Sequence, residues 1–163
     1  MTPDPIPATY SPAGLRFAFT ILAEIAAERV LQKRDRGAVV FYPITGGRVE
    51  GEVAGTIVTG GGDWATARSD LRMNVEARYQ FTTDSGALVD VFNVGVLRHT
   101  DPDAEIIDYF VTSPVFQTAD PGLQWLTRST FVGNARSVDG DIVIDVFEVM
   151  SDVEACTADR LGA

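Results

Sequence analysis

The chain has 163 residues, 45% of them apolar and 22% charged, and 23 acidic side chains against 13 basic ones give it a net charge of −10. Nine Phe, four Tyr and two Trp exclude disorder throughout the chain and supply enough apolar surface for one folded domain. The single lysine, Lys33, and the excess of acid argue against nucleic acid or an anionic membrane as a partner.

The compartment is predicted from three sequence features. No apolar run reaches the length of about 18 residues that crosses a bilayer, and the first residues lack a basic stretch followed by an apolar one. Cys156 is the only cysteine, which excludes a disulfide scaffold. We therefore expect a cytoplasmic protein of a reducing compartment.

Three segments are predicted along the chain. Four prolines in the first 14 residues indicate a flexible N-terminal arm, 1–14. Residues 15–150 form the single domain, and residues 151–163 form a polar C-terminal tail.

The sequence of the domain predicts a series of β-strands. Alternation begins at Leu15, since Leu15, Phe17, Phe19 and Ile21 share one face of an extended chain. Further strand-like runs are Val39–Ile44, Glu50–Val58, Met73–Thr83, Ala87–Val96, Ile106–Thr118, Leu123–Val132 and Ile142–Met150. The stretch Ala23–Arg36 is the only helical-looking window, and a long loop explains it equally well.

Turn signals separate these runs. They are Thr45-Gly46-Gly47, Gly60-Gly61-Gly62, Asp84-Ser85-Gly86, Pro121-Gly122 and Asp139-Gly140. About eight strands at this spacing favour an all-β fold, an antiparallel up-and-down β-barrel with little helix, over a βαβ sheet.

Polar residues alternate with apolar ones in two of these runs. Within Met73–Thr83 the polar face is formed by Asn74, Glu76, Arg78 and Gln80. This face either meets solvent or lines the lumen of the barrel, which at eight strands is just wide enough for one small ligand. Asp90 and Asn93 are poor strand formers in the next run, and a polar lumen or an edge position would explain both.

Several chemistries are disfavoured. His99 and Cys156 are the only soft ligands and no metal-binding spacing surrounds them, so no metal or cofactor is predicted. The Gly60-Gly61-Gly62-Asp63 sequence lacks the Gly-Lys-Ser/Thr ending of a P-loop, and no serine has a nucleophile-elbow sequence. We expect His99 to lie in a loop or at a strand end and Cys156 to be a free thiol.

Acid–base and hydrogen-bond chemistry remains. Asp, Glu, Arg, Tyr and Asn side chains can move protons and stabilise an enolate or phenolate without a cofactor. Four aromatic side chains are candidates for the flat walls of an aromatic-ligand site, with core packing as the alternative for each: Trp64, Tyr79, Tyr109 and Trp125.

Four segments together carry a family resemblance. They are Pro43–Arg68 with Pro-Ile-Thr-Gly-Gly and Gly-Gly-Asp-Trp, Val75–Val96 with Ala-Arg-Tyr, Tyr109–Arg136 with Trp-Leu-x-Arg and Phe-Val-Gly, and Asp139–Val149. In order and spacing the chain resembles the domain-of-unknown-function 3237 family over about residues 15–150. The resemblance implies a small antiparallel barrel. It also implies similarity to cofactor-free cyclases or isomerases of natural-product pathways, which close oxygen heterocycles by hydroalkoxylation or by adding a phenol to an enone.

Individual positions match or depart from the family pattern. The matching residues are Asp63, Trp64, Arg78, Tyr79, Asn93, Gly95, Trp125 and Arg128. The departures are Asp90 in place of an aromatic residue, Val111 in place of an arginine, Thr127 in place of an asparagine, and the lack of a proline-rich connection before Val39. Because Asp90 and Val111 alter the polarity of the predicted cavity, a relative's substrate does not transfer to this chain.

The resulting functional hypothesis is a cofactor-independent isomerase or lyase of the cyclase type, acting on a small aromatic or polyketide-like substrate. Asp63 or Glu76 is the predicted base with Asp90 in reserve, and Arg78 stabilises the developing negative charge. The predicted substrate-binding residues are Trp64, Tyr79, Asn93, Tyr109, Trp125 and Arg128, with the two indoles clamping the ring system.

Two alternatives stand beside this hypothesis. A barrel that binds a similar molecule without chemistry shares the cavity but has no titrating group acting on the ligand. A structural subunit with a solid core predicts instead that Glu76, Arg78 and Asn93 face solvent. A homodimer is compatible with so many strands.

Overall fold

The computed structural model describes residues 12–35, 37–68, 70–101 and 106–151. Almost all of them lie in strands. The strands are β1 (Gly14–Ile25), β2 (Arg29–Arg34), β3 (Gly37–Gly51), β4 (Gly55–Arg68), β5 (Arg72–Thr83), β6 (Leu88–His99), β7 (Ile107–Thr118), β8 (Phe131–Val138) and β9 (Asp141–Met150). A 3-10 helix, Pro121–Leu123, and the four-residue helix α1, Trp125–Arg128, connect β7 to β8.

The strands close into an antiparallel barrel. Each strand from β3 to β9 pairs with the next one along the chain, and β1 pairs with both β9 and β3, which joins the two edges. The eight-stranded closed barrel therefore consists of β1 and β3–β9, and β2 pairs with the first residues of β3 beyond the end of β1. This confirms the predicted fold class. None of the described helices is long and apolar enough to cross a membrane.

Apolar side chains fill one half of the barrel. Four phenylalanines, Phe19, Phe81, Phe116 and Phe131, are at most 2% exposed, and the rings of Phe116 meet those of Phe19 and Phe131 edge to face, at 5.5 and 5.1 Å between centroids. Burying a side chain of this size contributes about 2–3 kcal/mol. The helix α1 packs against β7 and buries Leu126, so this half of the barrel is solid.

Two predicted elements are wrong. Residues of the window Ala23–Arg36 continue β1 to Ile25 and form β2, because pairing with β3 satisfies their backbone groups in the extended state. The start of the predicted strand Leu123–Val132 is helical instead. Pro121 lies in the first turn of the 3-10 helix, and the Asp120 carboxylate accepts a hydrogen bond from the Gly122 N–H at 2.8 Å, which fixes the turn.

Apart from Pro121-Gly122, which begins the 3-10 helix, the predicted turns divide into two groups. Asp84-Ser85-Gly86 and Asp139-Gly140 are confirmed as hairpin turns, and Asp139 and Gly140 both have the positive φ of a type I′ turn. Thr45-Gly46-Gly47 and Gly60-Gly61-Gly62 lie inside β3 and β4 as bulges, so the turn prediction there is wrong. The predicted arm and tail fall outside the described residues, apart from residues 12–14 and 151.

The β4 bulge bends the barrel wall beside a buried tyrosine. Between Val58 and Gly62, three residues of β4 oppose Tyr79 alone, and the sheet curves where they are accommodated. A Cβ on Gly61 would lie 2.5 Å from Tyr79 Cβ and 2.7 Å from the Arg78 carbonyl oxygen, so only glycine allows this approach.

We expect Gly61→Ala to lower the free energy of unfolding by about 1–3 kcal/mol, because the added methyl group meets backbone that cannot move aside. Gly46→Ala is the matched control, since its Cβ would meet only the flexible end of Glu24 at 3.1 Å. Urea unfolding of the two variants measures the difference. Equal midpoints for both variants would contradict this account of the bulge.

Candidate functional site

A small cavity lies in the half of the barrel where β1 ends and β9 begins. Its volume is about 30 Å³, comparable with the space that one water molecule occupies in the liquid. Most of its wall is apolar, formed by Ala23, Ile25, Ile44, Val75, Ala77, Phe110, Ile142 and Ile144. Four polar residues complete the wall: Asp63, Tyr79, Asn93 and Thr112.

The strand register brings the carboxyl and amide groups together. Tyr42, Asp63, Ala77 and Asn93 are direct cross-strand partners on β3, β4, β5 and β6. Residues opposite one another in a ladder share a face of the sheet, so Asp63 and Asn93 both point inward. The small Ala77 side chain between them leaves room for the cavity.

Thr112 reaches the cavity between two glycines. It pairs with Gly95 on one side and with Gly133 on the other. A Cβ on Gly95 would lie 2.6 Å from Thr112 Cγ2, and a Cβ on Gly133 would lie 2.4 Å from Thr112 Oγ1. The threonine side chain therefore occupies the space that larger residues would fill on the neighbouring strands.

Polar atoms of this wall lack partners. Among the described residues, the buried side-chain atoms without a hydrogen bond are Tyr79 OH, Asn93 Oδ1, Thr112 Oγ1 and His99 Nδ1. Three of the four belong to the cavity. Leaving such a group unpaired costs about 1–3 kcal/mol, and proteins keep few of them. Three of them around one cavity indicate a site organised to bind a polar group.

Burial raises the pKa of Asp63 to about 6. Removal of the carboxyl from water is the main cause of this higher pKa. The hydrogen bond from the Glu76 N–H to Asp63 Oδ1, at 2.9 Å, lowers the pKa, and the negative charge of Glu76 raises it. Asp63 thus changes its charge close to neutral pH, which is the range in which a general base works best.

Two tyrosines surround this carboxyl. Burial, together with the negative charge of Asp63, raises the pKa of Tyr79, so its hydroxyl stays protonated and able to donate. Burial also raises the pKa of Tyr42 to about 12, and the Tyr42 hydroxyl donates to Glu28 at 2.9 Å. Asp63 is therefore the group of this set that titrates near pH 7.

The structure separates the predicted catalytic residues. Asp63 lies in the cavity, whereas Glu76, Arg78 and Asp90 lie on the outer face, so the prediction that they line the lumen is corrected. Their neighbours Val75, Ala77 and Tyr79 take the inward positions, and alternation along the strand sends Glu76 and Arg78 outward. Arg78 stacks on Phe92 at 4.8 Å, and Asp90 accepts a hydrogen bond from Gln80.

The predicted binding residues divide in the same way. Tyr79 and Asn93 line the cavity. Trp64 and Tyr109 lie on the outer face, where Trp64 packs against Phe41 and Tyr109 lies under Arg98.

The prediction that Trp64 and Trp125 clamp the substrate ring system is also wrong. Trp125 lies at the solid end of the barrel on α1, against Phe131 and Arg16, and Arg128 ends that helix with an exposed side chain. Trp64 and Trp125 therefore do not face one another across the cavity. The remaining predictions concern His99 and Cys156. His99 is the last residue of β6, and Cys156 lies outside the described residues.

Sequence reasoning missed Thr112 and Tyr42. Thr112 shares its face of β7 with Phe110 and Phe116, and Tyr42 shares its face of β3 with Val40 and Ile44. The alternation that identified the apolar faces could also have placed these two side chains on the inner face. Within the residues that the structure describes, no group of three His, Cys, Asp or Glu side chains is placed to hold a metal ion.

Fold and site together define a class: a closed eight-stranded antiparallel barrel with a small, partly polar interior cavity beside an inward-facing carboxyl. Within that class the chain belongs to the family described as "Protein of unknown function (DUF3237)", whose model matches residues 13–149. The predicted resemblance is thereby confirmed.

Relatives of known sequence and structure agree with this assignment. A UPF0311 protein of Rhodopseudomonas palustris is 35% identical over 146 residues, which are 83% of this chain and 95% of that protein. Its crystal structure, described as that of a conserved protein of unknown function, covers 85% of this chain and 99% of its own, with a TM-score of 0.78.

Two further structures extend the comparison. A β-barrel like protein of Acinetobacter baumannii is 25% identical with a TM-score of 0.77, and the match covers 88% of this chain and 99% of that one. A protein of Penicillium herquei described as an enzyme is 19% identical with a TM-score of 0.73 over the same shares. At that identity the last comparison shows the common fold alone.

The raised pKa of Asp63 predicts a pH-dependent stability. The folded state holds this proton up to about pH 6, whereas an unfolded aspartate releases it near pH 4, so the Asp63 contribution to stability falls as pH rises between those values. We expect Asp63→Asn to be more stable than the wild type by about 1–3 kcal/mol at pH 7, a gain that vanishes near pH 4. Urea unfolding across this range measures it.

Asp90→Asn is the matched control, because it removes one carboxylate from the outer face and keeps an acceptor for Gln80. It corrects for the loss of one negative charge from an acidic chain. The account fails if the two variants show the same difference from the wild type at every pH.

Proposed function

We propose that this chain is a cofactor-independent isomerase or lyase that closes a ring by acid–base catalysis inside the barrel. The observation that carries the proposal is the buried Asp63 carboxyl, with a pKa of about 6, facing unpaired Tyr79, Asn93 and Thr112 groups across one cavity. A base and hydrogen-bonding groups around one reacting atom are the parts that proton-transfer catalysis requires.

The proposed reaction is the addition of a hydroxyl group to an enone. Asp63 takes the proton of the substrate hydroxyl, and the oxygen forms a bond to the β-carbon. The electron pair of the C=C bond moves towards the carbonyl oxygen, which becomes an enolate. Asp63 then returns the proton to the α-carbon, so product and substrate are isomers and no co-reactant is consumed.

The other polar groups bind and orient. The Tyr79 hydroxyl keeps its proton and donates to the carbonyl oxygen, where negative charge develops. Asn93 Oδ1 and Thr112 Oγ1 are the other hydrogen-bonding atoms beside the reacting group. Fixing the hydroxyl against its acceptor carbon supplies much of the acceleration, since ring closure depends on orientation.

The size of the cavity limits what enters it. Its volume, about 30 Å³, is small beside a substrate ring system. The substrate class of small aromatic or polyketide-like molecules comes from the family resemblance, and such a molecule would place only its reacting atoms beside Asp63.

The test is turnover of a panel of hydroxyaryl enones, with 2′-hydroxychalcone as the first probe, followed by loss of enone absorbance and chiral analysis of the product. We expect Asp63→Asn and Tyr79→Phe each to lower kcat by about 100-fold or more. The wild-type kcat should rise between pH 5 and pH 7 as Asp63 ionises through a pKa of about 6.

Glu50→Gln is the control for Asp63→Asn, because it neutralises a carboxylate on the outside of β3. The proposal would be contradicted if no enone cyclised faster with the protein than in buffer alone. Full turnover by the Tyr79→Phe variant would also contradict it. Binding of the enones without turnover at any pH would establish the binding-barrel alternative.

A further inference from the structure

The barrel wall is open between β7 and β8. These two strands pair at only two positions, Val111 with Asn134 and Thr112 with Gly133, whereas β6 and β7 pair along almost their whole length. Residues 107–110 of β7 and 135–138 of β8 therefore face each other without a described pairing. A cavity of about 350 Å³ occupies this seam. That volume falls within the range of pockets that hold small molecules.

The seam adjoins the interior cavity. Phe110 lines both spaces and is 6% exposed, so its ring forms part of the wall that separates them. Ala135 lines the seam and pairs with Ile144, which lines the interior. Val111 is the paired residue beside the seam; Thr112 follows it on β7, and its unpartnered hydroxyl belongs to the interior.

Where β1 ends, hydrogen bonds hold it and the residues that follow it to the two neighbouring strands, β9 and β3. The Ile25 N–H donates to Asp141 Oδ1 at 3.2 Å, the Ala26 N–H donates to the Pro43 carbonyl at 2.9 Å, and Tyr42 donates to Glu28. These bonds continue the strand pairing at that side of the cavity. No pairing is described between residues 107–110 and 135–138, and there the Phe110 side chain lies between the two spaces.

We infer that the seam is the entrance to the interior cavity, with Phe110 as its gate, and that it holds the body of a substrate whose reacting group reaches Asp63. This inference rests on the proposed function. Its occupant is a small, uncharged ring system: the walls include the apolar Ile107 and Phe110, whereas the charged Asp108 and Arg136 already pair with Arg98 and Asp145. Asn134 and Ser137 supply hydrogen-bonding side chains.

Access is measured by thiol labelling in place of turnover. Thr112→Cys in a Cys156→Ser background places a single thiol at the inner end of the seam, and dithiodipyridine, an uncharged aromatic disulfide, labels it. Phe110→Ala should speed labelling by about tenfold and Ala135→Leu, which fills the seam, should slow it by about tenfold. Ile25→Ala is the control, since it enlarges the interior cavity away from the seam and should change the rate by less than about twofold.

Phe110→Leu replaces Phe110→Ala if the alanine variant does not fold, as judged by urea unfolding. Three results would overturn the inference: rates that respond to Ile25→Ala but not to the seam variants, rates that follow global stability, or rates that fall as protein concentration rises. The last would show that a strand of a second copy fills the seam. Labelling as expected in a protein that turns over no enone would contradict the proposed function alone, and normal turnover with unchanged labelling would contradict the seam alone.

Discussion

The closed ladder of backbone hydrogen bonds is the constraint on which the rest of this structure depends. Because β1 pairs with both β9 and β3, inward side chains are largely withdrawn from bulk water whatever their chemistry. For Phe19 and Phe116 this burial is the source of stability. For Asp63 the same burial raises the pKa and makes an ordinary carboxyl a base suited to neutral pH.

The two halves of the barrel show how stability and reactivity are divided. The half that α1 covers is packed with aromatic rings, and their burial offsets the cost of the polar groups in the other half. There, Tyr79, Asn93 and Thr112 keep hydrogen-bonding atoms without partners. A fold selected only for stability would fill that space with aliphatic side chains, so the unpaired groups set this half apart and carry the proposed function.

The sequence predicts the strands, the closed architecture and part of the site, because alternation of apolar residues has the same period as the strand. It predicts Asp63, Tyr79 and Asn93 for the cavity but misplaces Glu76 and Arg78. These two have the opposite parity to Tyr79 on β5, so alternation places them on the outer face although their polarity also suits a lumen.

Two other features needed the three-dimensional register. Whether Gly60-Gly61-Gly62 ends a strand or bulges within one depends on the partner strands, which local sequence does not specify. The gap between β7 and β8 likewise depends on where two distant strands stop pairing. Neither leaves a pattern in a single strand that could be recognised beforehand.

The most direct test of this account is the titration of Asp63 itself. Carbon-13 NMR of the side-chain carboxyl groups in aspartate-labelled protein, with Asp63→Asn to assign the signal, follows this one group through its proton loss. The account predicts a midpoint near pH 6. A midpoint near pH 4, the value of an aspartate in water, would show that the carboxyl is solvated and would contradict both the buried site and the chemistry built on it.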